Sequence, residues 1–323
     1  MNKALASLEK VSQQMALIWN RFWSLLWLPF ERIYKRSLPK KTRHKLALYA
    51  QLMRMDRPIG TYLLLWPTLW ALWLASAGFP EAKLLIIFAC GVFLMRSAGC
   101  VINDYADRNI DAHVKRTENR PLARRDISEK EALILFVVLV SIAFVLVLFL
   151  NPFTIYLSFA AVALAATYPF MKRYTYFPQV VLGAAFAWSI PMAFAAVNQE
   201  IAAEAWLLYI ATLLWVLAYD TLYGMVDRKY DLKIGVKSTA ILFGDADLAI
   251  TAIIQAFFLF GMLLIGHRFE MGWPYYLGWG VATGLIAYQF WIARKRKPEQ
   301  CFKAFLNNNY VGMALFIGIA FSL

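Results

Sequence analysis

Nine long apolar segments limit what this chain of 323 residues can fold into. A helix needs about 20 mostly apolar residues to cross the hydrocarbon core of a bilayer. Hydrophobic residues make up 61% of the sequence, well above the share in soluble globular proteins. We therefore predict an all-α, polytopic membrane protein with about nine transmembrane helices around a central cavity. The predicted spans are 59–78, 84–103, 131–150, 153–171, 178–197, 204–226, 247–266, 273–293 and 305–322.

The placement of positive charge predicts the orientation of these spans. Lys and Arg accumulate on the cytoplasmic side of membrane proteins. With a cytoplasmic N-terminus, 30 of the 33 Lys and Arg residues fall on that side, and the exceptions are Lys83, Arg96 and Arg268. The net charge of +13 therefore indicates orientation and attraction to anionic membrane lipid. We expect no nucleic-acid partner.

The first 47 residues are predicted to form a separate extension. Between residues 15 and 30, tryptophan recurs at every fourth position, which places the indoles on one helix face. This pattern, with the basic segment 32–45 that follows, favours a helix lying in the membrane interface. A signal peptide and a tenth span are the alternatives. The tryptophans are Trp19, Trp23 and Trp27.

Two acidic clusters follow the second and sixth predicted spans, at 103–111 and 227–231. Each contains two aspartates four residues apart, and the two pairs are offset by 120 residues. Positions i and i+4 share one helix face, so the like charges in each pair repel. Carboxylates that converge on Mg²⁺, a cation that often bridges to phosphate, would explain such pairs. The paired residues are Asp107 with Asp111 and Asp227 with Asp231.

Other residues extend these clusters. Asp104 shares a helix face with Asp107 and Asp111, and Asn103 offers an amide oxygen. The alternative for the first cluster is a solvated loop in which Arg108 and Lys115 pair with the acids. The three cysteines and three histidines are scattered along the chain, which argues against a disulfide framework or a Cys- or His-based metal site.

Asp220 lies inside the sixth predicted span, seven residues before Asp227. An ionisable side chain at such a position is energetically expensive and indicates function. The spacing places it on the same helix face as Asp227, two turns deeper. A buried ion pair is the other interpretation, and its possible partners are Arg54, Arg57 and Arg96.

A diphosphate also requires cationic side chains, since Arg binds phosphate through a planar fork and Lys through a point charge. Lys172 and Arg173 end a predicted helix at the cytoplasmic rim, so their reach is confined to it. The further candidates are Arg116, Arg120, Arg228 and Lys237, and each has orientation of the chain as an alternative role. Packing or lipid contact is the better interpretation of Trp66, Trp70 and Trp73.

Several strings resemble the UbiA superfamily of intramembrane aromatic prenyltransferases, in particular its members that act on 4-hydroxybenzoate. The resemblance covers residues 48–323, which we predict to be the transmembrane domain. Any one string alone is weak, but the combination is specific. The strings are 54–61, 65–72, 103–111, 115–117, 119–122, 168–173, 219–221, 225–227, 234–239 and 305–309.

The resemblance implies transfer of a polyprenyl group from its diphosphate to the ring of 4-hydroxybenzoate, in the bacterial inner membrane. The cavity would open to the cytoplasm and sideways to lipid. One Mg²⁺ would be held by Asn103, Asp104, Asp107 and Asp111, and the other by Asp227 and Asp231. The implied catalytic residues are Asp107, Asp220, Asp227 and Arg173. The implied substrate-binding residues are Arg54, Arg116, Arg120, Tyr168, Lys172, Arg173 and Lys237.

The second cluster departs from the pattern of the superfamily, because Lys229 and Tyr230 stand where close relatives often carry further acids. Three alternatives remain open at this point. Another superfamily member would act on naphthoate, haem or a chlorophyll precursor. A secondary transporter would explain Asp220, although its binding site would lie near the midplane. A CDP-alcohol phosphotransferase would carry its acids in a single stretch.

Overall fold

The computed structural model describes residues 39–111 and 117–323. The interfacial helix predicted at 15–30 and Arg116 lie outside these ranges. The described residues form helices without a β-strand. The helices are α1 (Lys40–Leu52), α2 (Ile59–Ala75), α3 (Ala82–Asp111), α4 (Glu129–Val147), α5 (Pro152–Tyr174), α6 (Pro178–Ala187), α7 (Ser189–Asn198), α8 (Ala203–Ile234), α9 (Thr239–Leu242), α10 (Asp247–Arg268), α11 (Trp273–Ala293) and α12 (Pro298–Ala320).

Six segments of the described residues are long and apolar enough to cross a membrane. A seventh, Ile59–Ala75, is apolar but shorter. The prediction of an all-α polytopic membrane protein is confirmed, and the count of nine spans stays a prediction. The six segments are Ala82–Asn109, Glu129–Val147, Pro152–Tyr174, Pro178–Asn198, Ala203–Ile234 and Gly244–Arg268.

The chain divides into two compact units, Met1–Ala50 and Gln51–Leu323. Within the first unit, the described residues are 39–50, most of helix α1. The second unit contains helices α2 to α12, and all features below belong to it. The predicted domain boundary after residue 47 stays a prediction.

Two helices extend well beyond their predicted spans. Helix α3 continues through the first acidic cluster to Asp111, and α8 continues through the second to Ile234. No proline or glycine interrupts either cluster. Helix α8 ends where Gly235 adopts a left-handed conformation with φ of 72°, which glycine enters without steric cost. Both clusters therefore lie on helical backbone.

The fifth predicted span is broken at Trp188 into α6 and α7. Pro191 explains the position of the break, since its ring nitrogen cannot donate to the carbonyl of Ala187. The last span begins at Pro298, seven residues before the predicted start. Proline is favoured in the first turn of a helix, where backbone N–H groups have no intrahelical acceptor.

The core of the second unit surrounds Trp215 on α8. Its indole stacks on Phe258 of α10 with 5.8 Å between ring centroids, and Trp70 of α2 lies at 5.3 Å. All three side chains are fully buried. Packing is thus the correct interpretation for Trp70 and for Trp73, which is 9% exposed.

Three consecutive asparagines of α12 bind three different helices. Asn307 accepts a hydrogen bond from Gln289 of α11 at 3.1 Å. Asn308 accepts one from Trp215 of α8 at 2.9 Å, and Asn309 one from Trp66 of α2 at 2.9 Å. Successive residues point about 100° apart around a helix. Polar side chains thereby fix α12 among three neighbours in an otherwise apolar bundle.

Candidate active site

A cavity of about 830 Å³ lies within the second unit, in the size range of ligand sites. The two acidic clusters, 120 residues apart in sequence, both line it. Asp220 and Tyr168 line it as well. The lining residues of the two clusters are Asn103, Asp104, Asp107, Asp111, Asp227, Tyr230 and Asp231.

The first cluster is buried and paired with cations. Both carboxylate oxygens of Asp104 accept hydrogen bonds of 3.0 Å from Arg54. Arg120 pairs with Asp104 at 3.0 Å and with Asp111 at 2.6 Å. Lys172 pairs with Asp107. These partners come from the segment before α2, from the loop after α3 and from the end of α5.

The alternative of a solvated acidic loop is therefore wrong for the described part of this cluster. Asp104 is 1% exposed, and Asp107 and Asp111 are each 6% exposed. The expected partner Arg108 instead pairs with Glu129 at 2.9 Å and lies over the ring of Tyr105. Lys115, the other expected partner, is outside the described residues.

Burial and neighbouring charges shift the pKa values of Asp111 and Arg120 in opposite directions. Burial raises the pKa of Asp111, and the guanidinium of Arg120 partly offsets this. Burial alone would lower the pKa of Arg120, but Asp104 and Asp111 more than compensate and raise it. Arg120 consequently stays charged at any physiological pH.

The donor atoms of the two clusters are oxygens, which hard cations such as Mg²⁺ prefer. Oδ1 of Asp107 is buried and has no hydrogen-bond partner among the described residues. Within the same residues, no three Asp, Glu, His or Cys side chains form a group ready to hold one ion. The acids of the first cluster are instead bound by Arg and Lys. The donor chemistry fits Mg²⁺, with Asp107 already offering one free oxygen.

The second cluster is joined to the first through the end of α5. After α8, the backbone N–H of Lys237 donates to the carbonyl of Lys172 at 3.0 Å. The ammonium of Lys237 donates to the carbonyl of Tyr174 at 3.2 Å. Lys172 is also the partner of Asp107. One short stretch of α5 therefore contacts Asp107 of the first cluster and the segment that follows the second.

The predicted cations divide into two groups. Arg54, Arg120, Lys172 and Lys237 line the cavity. Arg173 does not line it and donates to the carbonyl of Ala106 on α3. Arg228 binds Asp247. In the second cluster, Lys229 is exposed and outside the lining, whereas Tyr230 lines the cavity.

Asp220 and Arg96 line the part of the cavity farther from the clusters. Each lies seven residues before a cluster, about 10 Å along its helix. The carboxylate of Asp220 has no hydrogen bond or ion pair to a described residue, and the cations that act on it are Arg96 and Lys172. The other two proposed partners are occupied, because Arg54 binds Asp104 and Arg57 pairs with Asp56.

Sequence reasoning treated Arg96 only as a possible partner of Asp220. Its guanidinium donates to Sγ of Cys100 at 2.8 Å and lies against Gly60. A Cβ at Gly60 would be 2.3 Å from Nε of Arg96, so glycine is what allows the guanidinium to lie there. The sequence does contain a signal that could have identified Arg96 as a functional residue, because an arginine inside a strongly apolar span is rare.

Much of the remaining cavity wall is apolar. Side chains of α4, α5 and α6 supply one long wall, and aromatic side chains of α12 supply another part. The acidic clusters with their cations thus line one part of the cavity and Asp220 with Arg96 another, while the apolar side chains, here called the apolar channel, line much of the remainder. The apolar residues include Val140, Ala143, Phe144, Val147, Ala161, Val162, Ala165, Leu182, Phe186, Phe302 and Phe305.

Comparisons with known proteins identify the family. The sequence model of the UbiA prenyltransferase family matches residues 64–316. A protein of Pseudomonas syringae pv. syringae named 4-hydroxybenzoate octaprenyltransferase is 60% identical over 271 residues, which are 84% of this chain and 92% of that protein. One of Ectopseudomonas mendocina with the same name is 60% identical over 289 residues, 89% and 98% of the two chains.

Solved structures agree with this assignment. The apo structure of a UbiA homologue from Aeropyrum pernix K1 has a TM-score of 0.72 and 25% identity, covering 80% of this chain and 96% of its own. A homologue from Archaeoglobus fulgidus, bound to GPP and Mg²⁺, has a TM-score of 0.64 and 16% identity, covering 85% and 98%. Because its sequence identity is only 16%, the second structure supports a shared fold alone. The chain belongs to the UbiA prenyltransferase family.

Proposed function

We propose that this protein transfers a polyprenyl group from polyprenyl diphosphate to the ring carbon ortho to the hydroxyl of 4-hydroxybenzoate, a step of ubiquinone biosynthesis. The observation that carries the proposal is one cavity that is lined by both acidic clusters with their cations and, over much of its remaining wall, by the apolar channel. The substrate likewise has a charged part and an apolar part, since a diphosphate is attached to a long apolar chain. Relatives that are 60% identical carry the matching name.

The diphosphate is assigned to the region where the clusters meet. Arg54, Arg120 and Lys172 line the cavity there, and each already contacts a carboxylate. Arg can donate two parallel hydrogen bonds to phosphate oxygens. Lys237 adds a further ammonium at the rim. These groups would bind and orient the leaving group; Arg173 and Arg116 stay predicted contributors.

Mg²⁺ is assigned to the acidic clusters. When bound, it would neutralise charge that develops on the departing diphosphate. Asn103, Asp104, Asp107 and Asp111 would hold one ion, and Asp227 with Asp231 the other. The free Oδ1 of Asp107 supports this assignment. Oxygen-only donors at both clusters fit a hard cation.

The aromatic acceptor is assigned to the region of Arg96 and Asp220. Its carboxylate requires a cation, and Arg96 presents a guanidinium inside the cavity. Its phenol requires an acceptor, and the carboxylate of Asp220 lines the cavity and makes no hydrogen bond to a described residue. Tyr168 lines the same cavity. The ring would then lie between the diphosphate region and the apolar wall.

The apolar channel is assigned to the prenyl chain. Its wall from α4 and α5 would exclude water from the reactive allylic carbon. A long isoprenoid chain would leave this channel sideways into lipid. We further assign the protein to the bacterial inner membrane, with the N-terminus and both acidic clusters on the cytoplasmic side, because the Lys and Arg distribution favours that orientation.

Incubation of membranes that contain the protein with radiolabelled 4-hydroxybenzoate tests the proposal. We expect prenylated product with polyprenyl diphosphates, and a series of chain lengths will identify the preferred donor. Labelled naphthoate provides the control acceptor for the related activities of the superfamily. Incorporation into naphthoate without incorporation into 4-hydroxybenzoate would reject the proposed acceptor.

Substitutions in the two clusters test the assigned diphosphate region. Asp107→Ala and Asp227→Ala should each lower the transfer rate more than about 100-fold, since each removes a metal-binding carboxylate. Both variants should still insert into membranes. Asp126→Ala is the matched control, because Asp126 pairs with exposed Arg124 outside the cavity lining. Wild-type rates in either cluster variant would contradict the two-metal assignment.

A further inference from the structure

A fully buried carboxylate outside the cavity connects three segments near the second acidic cluster. Asp247, at the start of α10, is 0% exposed. Its Oδ2 accepts a hydrogen bond of 2.5 Å from Arg228 of α8. Its Oδ1 accepts one of 2.9 Å from Arg296, in the connection between α11 and α12. We refer to Arg228, Asp247 and Arg296 as the anchor triad.

Backbone acceptors complete the anchor triad. The guanidinium of Arg228 also donates to the carbonyl of Ala240 and, at 3.0 Å, to that of Gly244. Arg296 donates to the carbonyl of Asp245 at 2.7 Å. The hydrogen bond to Asp247 raises the pKa of Arg296. The end of α8 is thereby joined to the segment 240–247 and to the start of α12.

Arg228 follows Asp227 directly, yet it lies on another face of α8. Asp227 and Asp231 line the cavity, whereas Arg228 does not. Adjacent residues of a helix point about 100° apart. An anchor on one face can therefore set the direction in which the neighbouring carboxylates point into the cavity.

The last turns of α8 are largely exposed. Residues 229, 230 and 232–234 are exposed, so few buried contacts hold this part of the helix. Gly235 then ends the helix. Arg228 is joined there, on a face that does not line the cavity, to Ala240, Gly244 and Asp247.

We infer that the anchor triad positions Asp227 and Asp231 and thereby sets how tightly the second acidic cluster binds a divalent cation. Its members are positioning residues, since none of them lines the cavity. Partners that hydrogen-bond to metal ligands commonly alter metal affinity 10- to 100-fold, and the anchor triad acts through the backbone of α8, so we expect an effect at the lower end of this range. The inference rests on the proposed function, because it assigns the second cluster to Mg²⁺.

Asp247→Asn and Arg228→Lys test this role, since both keep the size of the side chain while weakening the anchor. We expect the half-saturating Mg²⁺ concentration in the transfer assay to rise about tenfold. The rate at saturating Mg²⁺ should stay within about twofold of wild type, because a lost binding interaction raises the half-saturating concentration without lowering the maximal rate. Titration of the purified protein with Mn²⁺, followed by calorimetry, should give a Kd increased by a similar factor.

The same two helices supply a matched control. Helices α8 and α10 run antiparallel, and Arg268 pairs with Glu204 at 2.7 Å at their other ends. Helix α10 has 22 residues, so this pair lies about 30 Å from Asp247. Glu204→Gln and Arg268→Lys are equivalent substitutions, and neither should change the affinity for Mn²⁺ or the half-saturating Mg²⁺ concentration.

Folding is checked by thermal unfolding in detergent. If Asp247→Asn does not fold, Arg296→Gln decides the question, because Arg296 is 41% exposed and its loss leaves Arg228 bound to Asp247. Folded variants with wild-type affinity for Mn²⁺ would overturn the inference. So would a loss of maximal rate with unchanged dependence on Mg²⁺. A wild-type protein whose transfer does not depend on metal would instead reject the metal assignment in the proposed function.

Discussion

Single residues set the chemistry of the cavity through close contacts. Arg54, Arg120 and Lys172 neutralise the three aspartates of the first cluster in pairs that join segments distant in sequence. Breaking a buried pair from one side leaves an uncompensated charge, which is costly. Each of these cations therefore stabilises the cluster as well as presenting a donor to the cavity.

Gly60 gives a test of the acceptor region at this scale. In Gly60→Ala, the added methyl group would be 2.3 Å from Nε of Arg96 and would displace the guanidinium. We expect the KM for 4-hydroxybenzoate to rise about tenfold or more, because a hydrogen bond to a charged group contributes about 1.5–3 kcal/mol. The KM for polyprenyl diphosphate should change little, and steady-state kinetics with each substrate varied in turn will measure both.

The matched control is Gly284→Ala on α11, where a Cβ would meet no atom within 4 Å. Both substitutions place alanine in a helix, which favours folding slightly. Equal KM values for the acceptor in the two variants would contradict the assigned role of Arg96. The side chain that must move in Gly60→Ala is long and flexible, so stability should be similar in both.

Helices that extend past the apolar region carry the acidic clusters. The extension of α3 to Asp111 and of α8 to Ile234 keeps each pair of acids on one helix face. Helix α12 fixes three neighbours through its asparagines. Helices thus hold the carboxylates, whereas Arg54, Arg120 and Lys237 lie in connections and Lys172 lies at the end of α5.

Asn308 provides a test of the packing of these helices. Asn308→Ala would leave the buried Nε1 of Trp215 without its acceptor. We expect a loss of about 1 kcal/mol in the free energy of unfolding, since hydrogen bonds between membrane helices average about 0.6 kcal/mol and an unpaired donor adds to the cost. Unfolding in mixed detergent micelles will measure it.

Thr283→Ala is the control for this prediction. The hydroxyl of Thr283 donates within its own helix, to the carbonyl of Trp279 at 2.9 Å. Its loss removes no contact between helices, so the free energy of unfolding should stay within about 0.5 kcal/mol of wild type. A larger loss in Thr283→Ala than in Asn308→Ala would show that α12 is not fixed in this way.

Sequence patterns predict some features of this fold better than others. Apolar length predicts the membrane helices, and the i, i+4 spacing of Asp107 and Asp111 predicts their shared face, because both signals are local. The break at Trp188 depends on Pro191 and is visible only as a proline within an apolar run. The pair of Arg54 with Asp104 joins residues 50 positions apart, and periodicity contains no information about such a contact.

The whole molecule combines one charged region with a membrane-embedded channel. A diphosphate carries about three negative charges, and the first cluster is already neutralised by cations of the protein. We therefore expect a divalent cation to let acids and diphosphate share the cavity at an acceptable electrostatic cost. Metal dependence is expected of the complete reaction.

Removal of metal tests this expectation. EDTA should stop transfer by membranes that contain the protein, and excess Mg²⁺ should restore it to the initial rate, because Mg²⁺ would neutralise the leaving group. Thermal unfolding before and after EDTA is the control for damage to the fold. Transfer that continues at the initial rate in EDTA would contradict metal-dependent ionisation of the diphosphate.

The two contacts of Lys172 restrict the insertions that this part of the sequence can tolerate. Its carbonyl is bound by the N–H of Lys237, and its ammonium by Asp107. Insertion of one residue between Tyr168 and Lys172 would turn the carbonyl and the side chain about 100° away from both partners. Loops that do not connect the clusters can lengthen at little cost. The spacing within this stretch of α5 is therefore more strictly constrained than the identity of the residues between its ends.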